Sequence, residues 1–197
     1  MKRFIDGSTG MGDMNGSAEY FVHKGDVKLY VYRKRNATPG PVLFLVHGST
    51  VSGRTTYDLQ VPGRSDYSVM DHFAARGYDV WTMDHEGYGR SGWSGQGNSD
   101  IRSGAKDLEA AIPFVLQQTG ATQLKMFGSS SGALRACAFT ALHPEVVERL
   151  EPGGRQGIGA VQRAEQRPRD RGVRVGVAAE RHDRSQSLLE RASLARE

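Results

Sequence analysis

The chain has 197 residues, with 26 Lys and Arg against 22 Asp and Glu, a net charge of +4, and 38% hydrophobic content. That is apolar material for one globular domain, and it excludes a collagen, a mucin-like stalk or a wholly disordered chain. Residues 1–150 hold 16 basic and 15 acidic side chains, whereas 151–197 hold ten Arg, no Lys, seven acids and none of the sixteen aromatic residues. The basicity therefore belongs to the C-terminal stretch and is not a whole-protein surface for nucleic acid.

Residues 1–18, rich in Gly, Ser, Asp and Met without periodicity, are expected to be a mobile leader. No apolar stretch follows the early Lys2 and Arg3, so no secretory signal is predicted. From Glu19 the pattern alternates through a Lys24-Gly25-Asp26 turn, predicting an antiparallel hairpin that ends in the cluster Ala37 to Pro41. Val42 to Val46 reads as a strand buried on both faces. It is also the longest apolar run, far short of the roughly 20 residues of a membrane helix.

Tyr67 to Arg76 has Val69, Met70, Phe73 and Ala74 at helical spacing before Gly77. A strand over Tyr78 to Met83 runs into Asp84. Asp100 to Thr119 predicts a helix capped by Ser99, with Ile101, Ala105, Leu108, Ala111, Ile112 and Val115 on one side. A short strand, Leu124 to Phe127, then turns at Gly128 into a helix from Ser131 to Leu142, which His143-Pro144 stops. The alternation predicts an α/β fold with a mostly parallel sheet, an N-terminal hairpin and flanking helices. Beyond Leu150 it lapses; Val173, Val175 and Val177 suggest one short strand, and Ser187 to Ala195 one short helix.

Cys137 is the single cysteine, which rules out an intrachain disulfide or a multi-Cys zinc site and fits a reducing compartment. A cytoplasmic protein is expected.

Three short motifs carry the chemistry. Gly128-Ser129-Ser130-Ser131-Gly132 is a G-x-S-x-G between a predicted strand and a predicted helix. A tight turn there lifts the central side chain above the sheet, and the flanking glycines remove the clash. Ser130 is the candidate nucleophile, although a Ser/Gly-rich stretch also makes ordinary turns. His47-Gly48-Ser49-Thr50 closes the buried strand. The Ser49 and Ser131 backbone amides are candidate oxyanion donors, and His47 and Gly48 are supporting residues. His47 is expected to orient the loop as a buried histidine bonded to backbone, not to act as the base. The third motif is Asp84-His85-Glu86-Gly87-Tyr88-Gly89-Arg90-Ser91-Gly92, whose carboxylate is expected to cap neighbouring amides rather than bind a metal.

In this order the motifs resemble the N-terminal half of an α/β-hydrolase-fold serine hydrolase over residues 19–150. The resemblance implies a cofactor-free esterase, lipase, thioesterase or amidase acting on a small ester-like substrate through an acyl-enzyme. Serine at the elbow argues against alkyl-enzyme chemistry on halides or epoxides. It also implies a histidine and a carboxylate after the elbow, then a sixth strand, a lid and further strands, which the sequence after Val146-Val147-Glu148-Arg149-Leu150 does not supply. His143 closes the elbow helix about 18 Å along its axis from Ser131. His182 stands in the Arg-rich stretch with no strand end beside it.

Residues 151–197 are therefore expected to be an out-of-frame or aberrant end on a truncated hydrolase, or a genuine basic tail that is solvated or partner-binding. A hydrolase impaired for want of its acid and base is one reading of the whole. A non-catalytic α/β binding module with a basic tail is the other. Nucleic-acid binding by the tail has little support, since no aromatic side chain is present for base stacking. Cys137 is read as a packing residue, and Arg135 is left between a solvent or ion-pair role and a ligand role.

Overall fold

The computed structural model describes residues 16–38, 40–64, 66–95 and 100–153. Ser99, the strand around Val175, the helix Ser187 to Ala195, His182, and all but the end of the leader lie outside them. Six strands form one sheet: β1 (Ser17–Lys24), β2 (Val27–Lys34), β3 (Val42–Val46), β4 (Asp79–Met83), β5 (Leu124–Ser129) and β6 (Val147–Gly153). Their order across the sheet is β1-β2-β4-β3-β5-β6. The β1–β2 and β2–β4 pairs are antiparallel, and β4–β3, β3–β5 and β5–β6 are parallel. This is the expected mostly parallel sheet behind an N-terminal hairpin.

Four helices cover it: α1 (Gly53–Tyr57), α2 (Val69–Ala74), α3 (Ile101–Thr119) and α4 (Ser131–Leu142). Every residue of β3 is buried. Alternation sends Val42, Phe44 and Val46 into the core beneath α3 and α4, which also holds Trp81, Leu108 and Met126. Leu43 and Leu45 enter a second core with Tyr57, Met70 and Phe73. The sheet is thus wetted on neither face at its centre, which is why β3 reads as a continuous apolar run.

Several boundaries differ from the sequence reading. The strand β6 forms, so the sheet does not end at the nucleophile strand; Val147 and Leu150 fill the α3/α4 side at its edge. The first strand starts at Ser17, two residues before the predicted hairpin. Helix α2 is shorter than Tyr67 to Arg76, because the Ser68 hydroxyl accepts from the Asp71 N–H at 3.0 Å and caps it there. Asp100, predicted as the first helical residue, is instead the cap of α3; its Oδ1 accepts from the Ser103 N–H at 2.7 Å. Helix α1 was not predicted. Among the described residues, no helix is long and apolar enough to cross a membrane.

Candidate active site

Ser130 sits between the last residue of β5 and the first of α4, with φ 55 and ψ −127. Two non-glycine residues of the described chain have positive φ, Ser130 and Thr50 at φ 72. Strained backbone of this kind costs roughly 1–3 kcal/mol per residue and persists where surrounding structure holds it. Three contacts hold Ser130. Its N–H donates to the Gly153 carbonyl at the end of β6 at 3.1 Å, and its carbonyl accepts from the Ala133 N–H at 3.0 Å. Beneath it lies Gly48, where an added Cβ would stand 3.0 Å from the Ser130 Cβ.

The glycines of the elbow have steric reasons. A Cβ on Gly128 would strike the Gly132 and Ala133 backbone, and one on Gly132 would strike the Val46 and His47 carbonyls. The structure thus brings Ser130, Ser131, Gly128, Gly132, His47, Gly48 and Ser49 to the same end of the parallel strands. Ser130 and Ser49 are exposed, whereas His47 and Gly48 are buried. The Ser49 and Ser131 hydroxyls lie 2.9 Å apart.

Both nitrogens of His47 are occupied. Nε2 accepts from the His85 N–H at 3.0 Å, which leaves the proton on Nδ1, donated to the Gly48 carbonyl at 2.7 Å. Burial, with the neighbouring His85 ring, pushes this imidazole down to about 3. It is a neutral brace between two loops. Arg135, left undecided from the sequence, is 1% exposed and runs through the core beside Gly104, with Nη1 3.5 Å from the His47 carbonyl.

The loop after β4 behaves as its carboxylates predicted. Asp84 Oδ1 accepts from the Gly53 N–H and Oδ2 from the Arg90 N–H, each at 2.8 Å, tying α1 to the loop. Glu86 accepts from the Ser94 N–H at 2.8 Å and pairs with Lys24 at 2.6 Å.

His85 belongs to a cluster the sequence reading missed. Its Nδ1 donates to Asp107 Oδ2 at 3.0 Å, the Glu86 N–H donates to the same oxygen at 3.0 Å, and Lys24 pairs with Oδ1. The signal was Asp107 itself, an acid among Gly104, Leu108 and Ala111 on the buried stripe of α3. His143 Nε2 lies 3.0 Å from Glu109 at the far end of α4.

The family model described as serine aminopeptidase, S33, matches residues 61–150. No curated protein sequence matches the chain. Among solved structures, an epoxide hydrolase from Vigna radiata aligns with TM-score 0.56 and 21% identity over 72% of this chain and 39% of its own. A CIB-like hydrolase from Thermoplasma acidophilum aligns with TM-score 0.52 and 19% identity, covering 70% and 63%. An esterase from Exiguobacterium antarcticum gives 0.53 and 23%, covering 68% and 44%. The chain therefore spans between about two fifths and three fifths of the length of these structures. The sheet order, the three strand-end loops and these matches together show that the described residues have a partial α/β-hydrolase fold.

Proposed function

We propose that this site is built for hydrolysis of a small carboxylic-ester-type substrate through an acyl-enzyme on Ser130. Ser130 Oγ adds to the substrate carbonyl carbon, and the Ser49 and Ser131 amides receive the resulting oxyanion, with Gly48 and Gly132 keeping the backbone close enough to do so. Collapse expels the alcohol, which carries off the proton given up by Ser130 Oγ, and water then adds to the acyl carbon, one of its protons restoring the serine hydroxyl and its oxygen completing the acid. The observation that carries this reading is the Ser130 backbone, held at φ 55 on a strand-to-helix turn with its side chain exposed above Gly48.

A serine hydroxyl at its ordinary pKa needs a base. Among the described residues His47 and His85 are buried, and His143 is at the other end of α4 against Glu109. Among the described residues no base is bonded to Ser130, so turnover resting on positioning and oxyanion donors alone is expected to be slow. The test is labelling of the folded chain with a fluorophosphonate probe, alongside Ser130→Ala. Slow labelling that Ser130→Ala abolishes supports the reading. A folded chain that takes no label, even over long incubation, overturns it.

A further inference from the structure

We propose that the Ser49 and Ser131 hydroxyls form a latch that holds the Ser49 amide in register with the Ser131 amide, so that both reach one oxygen; the inference rests on the acyl-enzyme reading above. The two hydroxyl oxygens are 2.9 Å apart, and either can donate to the other. The residues that carry them are 82 positions apart in the chain. One lies in the loop after β3 and the other is the first residue of α4. They are also the two residues whose backbone N–H groups receive the oxyanion in that reading. The side chains thus join two donors that the main chain places on separate supports.

The two supports are unequal. Ser131 begins a helix of 12 residues, and the next residue, Gly132, packs so closely on the Val46 and His47 carbonyls that a Cβ there would strike them. Ser49 has relaxed, buried chain on one side only. Before it, Gly48 is buried and its carbonyl accepts from His47 Nδ1 at 2.7 Å. After it, Thr50 is exposed with φ 72, a torsion that a β-branched residue takes only under constraint. Beyond Thr50 the Gly53 N–H is held by Asp84 Oδ1 at 2.8 Å. Relaxation of Thr50 toward negative φ must therefore be absorbed between Gly48 and Gly53, where it turns the Ser49 amide. The hydroxyl bond to Ser131 opposes that movement.

Small displacements matter here, because an oxyanion donor acts over a narrow range, about 2.7–3.1 Å from the oxygen as it becomes charged. Alanine at either position keeps both backbone N–H groups and removes only the bond between the hydroxyls. That bond is lost whichever partner is removed, so both single variants and the double variant should be slowed alike. A hydroxyl that instead gave its own proton to the oxyanion would behave differently. One hydroxyl survives in each single variant and can turn to the oxygen, so only the double variant would slow.

The test is fluorophosphonate labelling of the full chain over a range of probe concentrations, for wild type, Ser49→Ala, Ser131→Ala, S49A/S131A and S131A/T50G. Ser130→Ala is the blank, and far-UV circular dichroism reads whether each variant is folded. Both single variants and S49A/S131A should lose about three- to tenfold in maximal labelling rate, the effect of one neutral hydrogen bond. The half-saturating probe concentration should stay close to that of wild type. Glycine at position 50 takes the left-handed torsion without a Cβ penalty, so S131A/T50G should recover most of the wild-type rate. A glycine in the facing loop would not repair a defect confined to α4. Ser49→Ala, in an exposed loop, carries the test if Ser131→Ala does not fold. Folded single variants that label as fast as wild type overturn the latch, and so does slowing confined to S49A/S131A, or S131A/T50G that stays as slow as Ser131→Ala. A wild-type chain that takes no label overturns the acyl-enzyme reading and the latch with it, whereas Ser130-dependent labelling that the variants leave unchanged removes the latch alone.

Discussion

Ser130 carries two demands that conflict: its hydroxyl must stand above the sheet, and its backbone must take a torsion that an L-residue adopts only under constraint. Glycine adopts that torsion without a Cβ penalty, at the cost of a freer unfolded chain. Ser130→Gly and Ser130→Ala both lose the hydroxyl, so comparing them isolates the Cβ. Ser130→Gly is expected to be the more stable of the two by about 1 kcal/mol, the residue of 1–3 kcal/mol of strain less the glycine entropy. Urea unfolding midpoints of the two variants check this. Equal midpoints would mean that the elbow is not strained in solution. The torsion was legible from Gly128 and Gly132 on either side, whereas the positive φ of Thr50, at 72, left no sign. Nothing in His-Gly-Ser-Thr specifies which residue of the loop turns left-handed.

Elements whose neighbours lie close in sequence could be read from periodicity; those held by distant partners could not. Helix α3 shows its stripe plainly, and β3 its double burial. Helix α1, with the sequence Gly-Arg-Thr-Thr-Tyr, has no apolar period at all. It exists because Thr55 Oγ1 accepts from the Ser52 N–H at 3.2 Å, and because Asp84, more than thirty residues away, catches the Gly53 N–H. The docking of α3 onto the hairpin and the β4 loop depends on Asp107 in the same way. Its two oxygens serve Lys24, His85 and the Glu86 amide together. Asp107→Ala would leave a histidine nitrogen and a backbone N–H facing a cavity, with Lys24 held by Glu86 alone. A loss of about 2–6 kcal/mol is expected in chemical denaturation, from two buried donors left unsatisfied at about 1–3 kcal/mol each. A loss below about 1 kcal/mol would mean that water replaces the carboxylate and that α3 docks by its apolar stripe alone.

At the scale of the molecule, the sheet's organisation followed from the strand–helix alternation, but its edge did not. Val-Glu-Arg-Leu-Glu-Pro-Gly shows no period of two, because the register shifts between Leu124 and Lys125 and leaves Val147 and Leu150 three residues apart as its buried positions. Two charges and a proline complete the disguise. Yet β6 is joined to the site, since its last carbonyl receives the Ser130 amide. Leu150 is 5% exposed in the α3/α4 core, and truncating a buried leucine costs about 2–5 kcal/mol when the cavity stays open. If β6 unfolds with the rest of the sheet, Leu150→Ala lowers the global unfolding midpoint by that amount. If β6 frays on its own, the midpoint hardly moves, while amide exchange speeds up over Val147–Gly153 alone. The first outcome is expected, because Leu150 shares its core with Met126 of β5 and Phe139 of α4, the two elements that meet at Ser130. Slower fluorophosphonate labelling of Leu150→Ala should accompany it, since loosening β6 releases the carbonyl that holds the elbow in its strained turn.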